Sequence, residues 1–248
     1  MCGTCGCSPA AGAPLSDHPH DHADPTRTVL LEQRVLARND LRAERNRGWL
    51  AGRRITAVNL MSSPGSGKTT LLERTIRDLG GTLAVSVVEG DQETAFDAER
   101  IRATGCPVVQ VNTGSGCHLD ADMLAGALGT LEPAAESVVF IENVGNLVCP
   151  ALFDLGETCR VVVMSVTEGA DKPLKYPHMF RTADAVLLNK IDLLPYVNFD
   201  VDTFRRFLAR VNGPARLIQL SATRGDGTQD WYAWLRDRTG EAGPAQRR

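Results

Sequence analysis

The sequence predicts an α/β fold: a mostly parallel sheet of about seven strands, covered by helices on both faces, with a flexible N-terminal tail and one N-terminal helix ahead of it. Three observations predict it. The chain has 248 residues, 43% of them hydrophobic, enough for one full core. From Arg54 onward, apolar β-branched runs of strand length alternate with helical stretches, as in a sheet buried on both sides. Each motif of chemical interest falls just behind one of those runs, at the carboxyl end of a strand, where ligands bind in such sheets.

Residues 1–25 are rich in Cys, His, Pro and Gly with almost nothing apolar to bury, and read as a flexible metal-binding tail. In 26–52, Val29, Leu30, Val35, Leu36, Leu41 and Leu50 recur among many Arg, which predicts a basic amphipathic helix and linker. The domain proper spans 53–240. Its strands are expected at 55–61, 83–88, 108–111, 138–141, 161–166, 185–188 and 217–220, and its helices at 69–79, 94–104, 119–131, 201–211 and 228–238. Residues 241–248 read as a flexible C-terminal tail.

The net charge of −3 excludes little, but its distribution is uneven, with eight Arg against Glu32, Asp40 and Glu44 between residues 27 and 54. Trp49 is the one aromatic among them, so a solvated or protein-docking helix is expected there and no nucleic acid. No apolar run reaches about 18 residues and the N-terminus has no signal-peptide pattern, so no membrane partner and a cytoplasmic location are expected. Seven Cys, three of them within the first seven residues, do not describe a disulfide framework and fit thiols kept free for metal.

Residues 62–69, SSPGSGKT, lie between a strand and a helix. Such a loop converges backbone N–H groups on a phosphate at the positive end of a helix, and Gly65 and Gly67 let the backbone come close. Ser63, Ser66 and Thr70 complete the cradle; Lys68 is placed for the β- and γ-phosphates and the Thr69 hydroxyl for Mg²⁺. The loop opens with Ser62 where the pattern has Gly. Behind the run 185–188 stands Asn189-Lys190-Ile191-Asp192, in which the Asp192 carboxylate suits the N1–H and amino group of guanine, Asn189 the loop and base edge, and the Lys190 stem the ring. Ser221-Ala222-Thr223 resembles the backbone element that meets guanine O6. The bound cofactors are therefore expected to be GTP and Mg²⁺. Glu142-Asn143-Val144-Gly145 carries Glu where Asp is usual; Glu142 is expected to reach Mg²⁺ directly or through water and the Gly145 amide the γ-phosphate. Asn146 stands in place of a water-orienting Gln and no Arg is an evident finger, so slow hydrolysis is expected. Asp91 has two readings, positioning an attacking or metal-bound water, or capping the helix that follows.

Cys2, Cys5 and Cys7 place three thiolates within six residues, suited to Ni²⁺, Zn²⁺ or Cu(I), with redox chemistry as the other reading. His18, His20 and His22 are either imidazole ligands or part of a solvated tail. Cys117, His118 and Cys149 lie in two loops on the phosphate-loop edge and form either a nickel or zinc site, completed across a two-fold axis if need be, or a buried structural set. Cys106 and Cys159 border strands without ligand neighbours and are read as structural.

Taken together, CxxCGC at the N-terminus, SSPGSGKTT, EGD, NTGSGCHLD, ENVGNLVCPA, KPLKYP and NKIDLL resemble the HypB family of hydrogenase nickel-incorporation GTPases, over residues 2–7 and essentially all of 28–240. The resemblance implies a P-loop GTPase that forms a homodimer with GTP bound, works with a small zinc-containing nickel chaperone of the HypA type, and delivers Ni²⁺ to the [NiFe]-hydrogenase large-subunit precursor. It implies a tight nickel site at Cys2, Cys5 and Cys7, a weaker nickel or zinc site at Cys117, His118 and Cys149, and chaperone docking on 27–54. The short His region departs from relatives with long ones, which puts nickel storage in doubt. The alternatives are a urease-type nickel GTPase, a metal storage or sensing module with a structural nucleotide site, and a cysteine redox switch.

Overall fold

The computed structural model describes residues 25–91, 95–114 and 116–240, with side chains from residue 34 onward. Seven strands form one sheet: β1 Thr56–Ser62, β2 Val85–Asp91, β3 Val108–Asn112, β4 Val138–Glu142, β5 Cys159–Ser165, β6 Ala185–Asn189 and β7 Arg216–Gln219. Their order is β3-β2-β4-β1-β5-β6-β7, and every pair is parallel. The helices are α1 Pro25–Gly52, α2 Lys68–Leu79, α3 Phe96–Arg102, α4 Ala121–Leu131, α5 Lys172–Lys175, α6 Pro177–Arg181, α7 Val201–Val211 and α8 Thr228–Thr239.

Both faces of the sheet are dry, because alternate residues of each strand point to opposite sides. Val58, Leu60, Phe140, Val161 and Val163 pack on one side with Leu71, Leu72 and Ile76 of α2 and Trp231 and Leu235 of α8. On the other side Ala57, Val88, Val139 and Ile141 meet Leu124 and Leu128 of α4 and Leu50 of α1, while Val162, Met164 and Leu188 meet Phe180 and Phe204. All seven expected strands are present, displaced by a few residues at their ends. One shift matters: β2 runs to Asp91, so Glu89-Gly90-Asp91 is the end of a strand rather than a loop behind it. Helix α3 is shorter than expected, and its N-cap is Ala95, so Asp91 does not cap it.

Two short helices and two 3-10 turns, Cys149–Ala151 and Ile191–Tyr196, were not expected from the pattern. The break between α5 and α6 has a local cause. Pro177 disfavours helical backbone at the residue before it, and Tyr176 sits at φ −124°, ψ 56°.

Helix α1 docks through one stripe, Asn39, Ala43, Asn46 and Leu50, all nearly or fully buried and spaced by four, three and four residues. The Asn39 amide donates to Asp154 O at 2.7 Å and its oxygen accepts from Ala121 N at 2.9 Å. The Asn46 amide donates to Ala121 O at 2.8 Å and Leu155 O at 3.0 Å. Arg42 pairs with Asp122 at 2.9 Å and Arg47 with Asp154 at 2.6 Å, so part of the basic stretch is satisfied inside the molecule. Gly156, at φ +84°, packs against this helix where a Cβ would stand 2.3 Å from Ala43 O. Asn46→Ala removes a donor from each of two buried carbonyls and is expected to cost about 2 kcal/mol. Thermal unfolding reads this as a melting temperature lower by roughly 5 °C, with the exposed Arg34→Ala unchanged; an unshifted Asn46→Ala curve would show that the helix carries no stability.

Candidate functional site

The carboxyl ends of β1, β2, β4, β5 and β6 meet at one edge. Gly67 ends the phosphate loop in left-handed backbone, φ 97°, and a Cβ there would stand 2.6 Å from the Asn189 amide, so only glycine fits. Lys68 is half-buried at the start of α2 and donates to Ser62 Oγ at 2.7 Å. Burial holds its pKa below the usual lysine value, and Glu142 is the first of the acids that oppose that fall. Ser62 was noted only as a departure from the loop pattern; here its hydroxyl holds the lysine.

Thr69 donates to Glu142 Oε1 at 2.7 Å, while Oε2 of the same carboxyl is buried without a partner among the described residues. Glu89 stands two residues before Asp91 and also leaves Oε2 buried and, among the described residues, unpartnered. Burial is the main reason both carboxyls titrate high, Glu142 near 7 and Glu89 near 8; their mutual repulsion adds to the effect at Glu89. Thr69, Glu142, Glu89 and Asp91 thus gather hard oxygen donors around Lys68, a donor set that suits a hard divalent cation. Glu89 was missed from the sequence, although an acid closing the strand-length run of residues 83–88 is a usable signal.

The base-side residues converge as well. The Asn189 amide donates to Ser66 O at 2.9 Å, and its oxygen accepts from Ala222 N at 3.0 Å. Lys190 Nζ donates to Gly65 O at 2.7 Å, and Ser221 Oγ accepts from Arg224 N. Asp192 Oδ1 and Ser66 Oγ are buried without partners among the described residues. Thr70 accepts from Arg100, which Glu73 and Asp97 hold in place. Ser63 donates to Glu168 at 2.5 Å, a contact between the phosphate loop and the loop behind β5 that the sequence did not reveal. Gly145 lies against the phosphate loop, where a Cβ would meet Pro64 Cα at 3.0 Å.

Cys117, His118 and Cys149 come together, with their ligand atoms all within 4.8 Å of one another. Cys117 Sγ is 3.7 Å from His118 Nδ1, and the imidazole stacks on Phe153 with centroids 3.8 Å apart. Burial lowers the His118 pKa, which favours the neutral ring that metals bind. Two thiols and an imidazole form a soft and borderline donor set fit for nickel or zinc. Cys106 and Cys159 are buried in the main core, and burial raises both to about 11. Cys2, Cys5, Cys7, His18, His20 and His22 lie outside the described residues.

The loop from Glu142 to Cys149 joins the two centres. Asn143 accepts from Leu119 N at 3.2 Å and donates to Asn59 at 3.3 Å, and Asn146 donates to Cys117 O at 3.5 Å.

Because Glu89 titrates near 8 here and near 4.5 when exposed, its ionisation is a growing cost to the folded state as pH rises through that window. Glu89→Gln mimics the protonated carboxyl. The melting temperature of nucleotide-free protein should therefore match the variant's near pH 5 and fall progressively below it by pH 8. A gap that stays constant with pH would contradict the assignment.

A family model described as CobW/HypB/UreG, nucleotide-binding domain, matches residues 56–219. The hydrogenase maturation factor HypB of Escherichia coli K12 is 56% identical over 209 residues, covering 84% of this chain and 72% of that one. That of Azotobacter vinelandii is 53% identical over 215 residues, 87% of this chain and 71% of that one. Among solved structures, HypB from Archaeoglobus fulgidus aligns with TM-score 0.77 at 40% identity, over 82% of this chain and all of that one. HypB from Helicobacter pylori, solved in complex with nickel, aligns with TM-score 0.77 at 37% identity, over 85% and 99%. On this sequence identity, and on a shared P-loop nucleotide-binding domain, the chain belongs to the HypB family of hydrogenase maturation factors.

Proposed function

We propose that this protein is a GTP-hydrolysing nickel metallochaperone of the cytoplasm, in which the nucleotide state sets the grip of Cys117, His118 and Cys149 on the metal. The observation that carries this reading is the 142–149 loop. Its first residue bonds Thr69 behind the phosphate loop, and its last is a candidate metal ligand. Between them Gly145 lies so near the phosphate loop that a Cβ would stand 3.0 Å from Pro64 Cα, and Asn143 and Asn146 are bonded to the chain segment that holds Cys117 and His118.

Guanine selection follows from Asp192, whose buried Oδ1 awaits a donor, and from the Ser221–Thr223 backbone facing O6. Lys68 and the amides of 63–70 hold the triphosphate. Mg²⁺ would be held by Thr69 and Glu142, with Asp91 and Glu89 behind them, and supplies neutralisation of phosphate charge when bound. When a γ-phosphate occupies the loop, Lys68 turns from Ser62 Oγ to the phosphate and Thr69 releases Glu142. The Gly145 amide then follows the phosphate, carrying Asn146 and Cys149. Turnover is slow, because Asn146 is committed to Cys117 O rather than to a water, and Arg100 is committed to Glu73 and Asp97.

Nickel is the cargo. The homologous HypB from Helicobacter pylori was solved with nickel, and the family name supports delivery to hydrogenase, for which the large-subunit precursor is the recipient. A GTP-dependent homodimer and a small zinc-containing nickel chaperone complete the scheme, with the exposed part of α1, including Val35 and Leu41, as the docking face for that chaperone. Zn²⁺ competes for the same thiols. No described helix is long and apolar enough to cross a membrane.

Removing the tail thiols as Cys2→Ser, Cys5→Ser and Cys7→Ser isolates the inner site. Nickel titration should then give affinities that differ by about tenfold or more between GDP and a non-hydrolysable GTP analogue, a coupling of the usual allosteric size. Cys117→Ala should abolish the binding, and equal affinities in the two nucleotide states would end the coupling idea. Asp192→Asn should weaken GTP on the order of a hundredfold and shift preference towards xanthosine triphosphate, by the logic of a buried polar group left unpaired. Unaltered GTP affinity in that variant would refute the guanine assignment.

A further inference from the structure

Arg74, on the outward side of α2 beyond the phosphate loop, is not part of any motif that identifies the nucleotide site. Its guanidinium nonetheless reaches across to the loop behind β7. Nε donates to Ala222 O at 2.6 Å and Nη2 to Thr223 O at 2.9 Å. Nη1 lies 3.7 Å from Asp78, whose other contact is the Tyr232 hydroxyl of α8 at 2.6 Å. The loop leaves room for it: Gly225 is at φ +91°, and a Cβ there would stand 3.0 Å from Nη1.

We propose that Arg74 is a positioning residue for guanine selection, holding the Ser221–Thr223 backbone so that the Thr223 N–H meets O6, the Ser221 and Ala222 N–H groups being donated to Asp226 O and Asn189 Oδ1. The proposal rests on the guanine reading of the site. Its stereochemistry is simple. In a planar trans peptide the C=O and the N–H point in opposite directions. A guanidinium that fixes Ala222 O and Thr223 O therefore fixes the direction of the Thr223 and Arg224 N–H groups; the second is turned onto Ser221 Oγ at 3.1 Å, and the first is the one aimed at O6. Asn189 secures the Ala222 N–H from the other side, at 3.0 Å, so the loop is gripped between β6 and α2. The planar fork of Arg meets two successive carbonyls at once, which the point charge of Lys cannot do. Since α2 begins at Lys68, the helix that receives the phosphates also orients the reader of the base edge.

The two edges of the base are thereby separable. Asp192 reads N1–H and the 2-amino group; Arg74 acts on O6 alone. Three probes divide them: GTP, 6-thio-GTP, altered only at O6, and ITP, which lacks only the 2-amino group. Dissociation constants for the full chain with Mg²⁺ should show both analogues weaker than GTP in the wild type. In Arg74→Met the preference for GTP over 6-thio-GTP should collapse towards unity, with GTP itself weakened about tenfold, the worth of one hydrogen bond. The preference for GTP over ITP should stay at its wild-type value. Arg74→Lys, which keeps one carbonyl contact and the charge, should fall between and serves if the Met variant does not fold. Both preferences falling in parallel would mean that Arg74 supports the fold only, and wild-type preferences throughout would mean that it does nothing for the base; either overturns the proposal. A wild type indifferent among the three triphosphates would instead reject the guanine reading itself.

Discussion

The parallel pairing of β1 with β4, in which Leu60 stands beside Glu142, sets the geometry on which the rest of the site depends. β1 delivers the phosphate loop and β4 delivers the 142–149 loop, and adjacency in the sheet leaves about 4.8 Å between their backbones. The Thr69–Glu142 hydrogen bond and the close approach of Gly145 to Pro64 follow from that spacing. β2, on the far side of β4, brings Glu89 level with Glu142. The sheet register therefore assembles a cluster of acids around one half-buried lysine without any long-range loop having to find its place.

That cluster is an unfavourable arrangement by itself. Two buried carboxyls, each with an oxygen unpartnered among the described residues and facing a single ammonium, carry desolvation that neighbouring dipoles do not offset. Protonation relieves it in part, as the raised pKa values of Glu89 and Glu142 show. A divalent cation would relieve it more fully. Strain of this kind is expected where a protein keeps a place for a charge it must later accept. The neutral His118, stacked on Phe153 next to two thiols, has the same character on a smaller scale.

Most of the fold was legible because buried parallel strands announce themselves as unbroken apolar runs; Val138–Glu142 and Ala185–Asn189 are examples. The candidate site was legible as a cluster wherever its residues are close in sequence, as in the phosphate loop and the Asn189–Asp192 segment, whose contacts with one another the fold provides. What could not be read was made by pairings across the sheet. Glu168 meets Ser63 over 105 residues, and Arg74 meets Ala222 over 148. No local pattern encodes such a partner, and a lone Arg on a helix reads as solvated. The ends of β2 were misplaced for a related reason, since pairing with β3 extends the strand through Gly90 to Asp91, although Gly90 on its own sequence signals a turn.

The way α1 is fastened has a consequence for how the chain comes into being. Its stripe is complete as soon as residue 50 has been made, yet Asn39 awaits Asp154, 115 residues later, and Asn46 awaits Leu155, 109 residues later. At ribosomal speeds of roughly 5–20 residues per second, the helix spends on the order of ten seconds with nothing to dock on. A stripe of large apolar side chains would invite aggregation over that interval. With two asparagines, an alanine and a single leucine, this stripe offers little of that hazard, so the polar character of the interface lowers the aggregation risk of the nascent chain until its receptor has been synthesised.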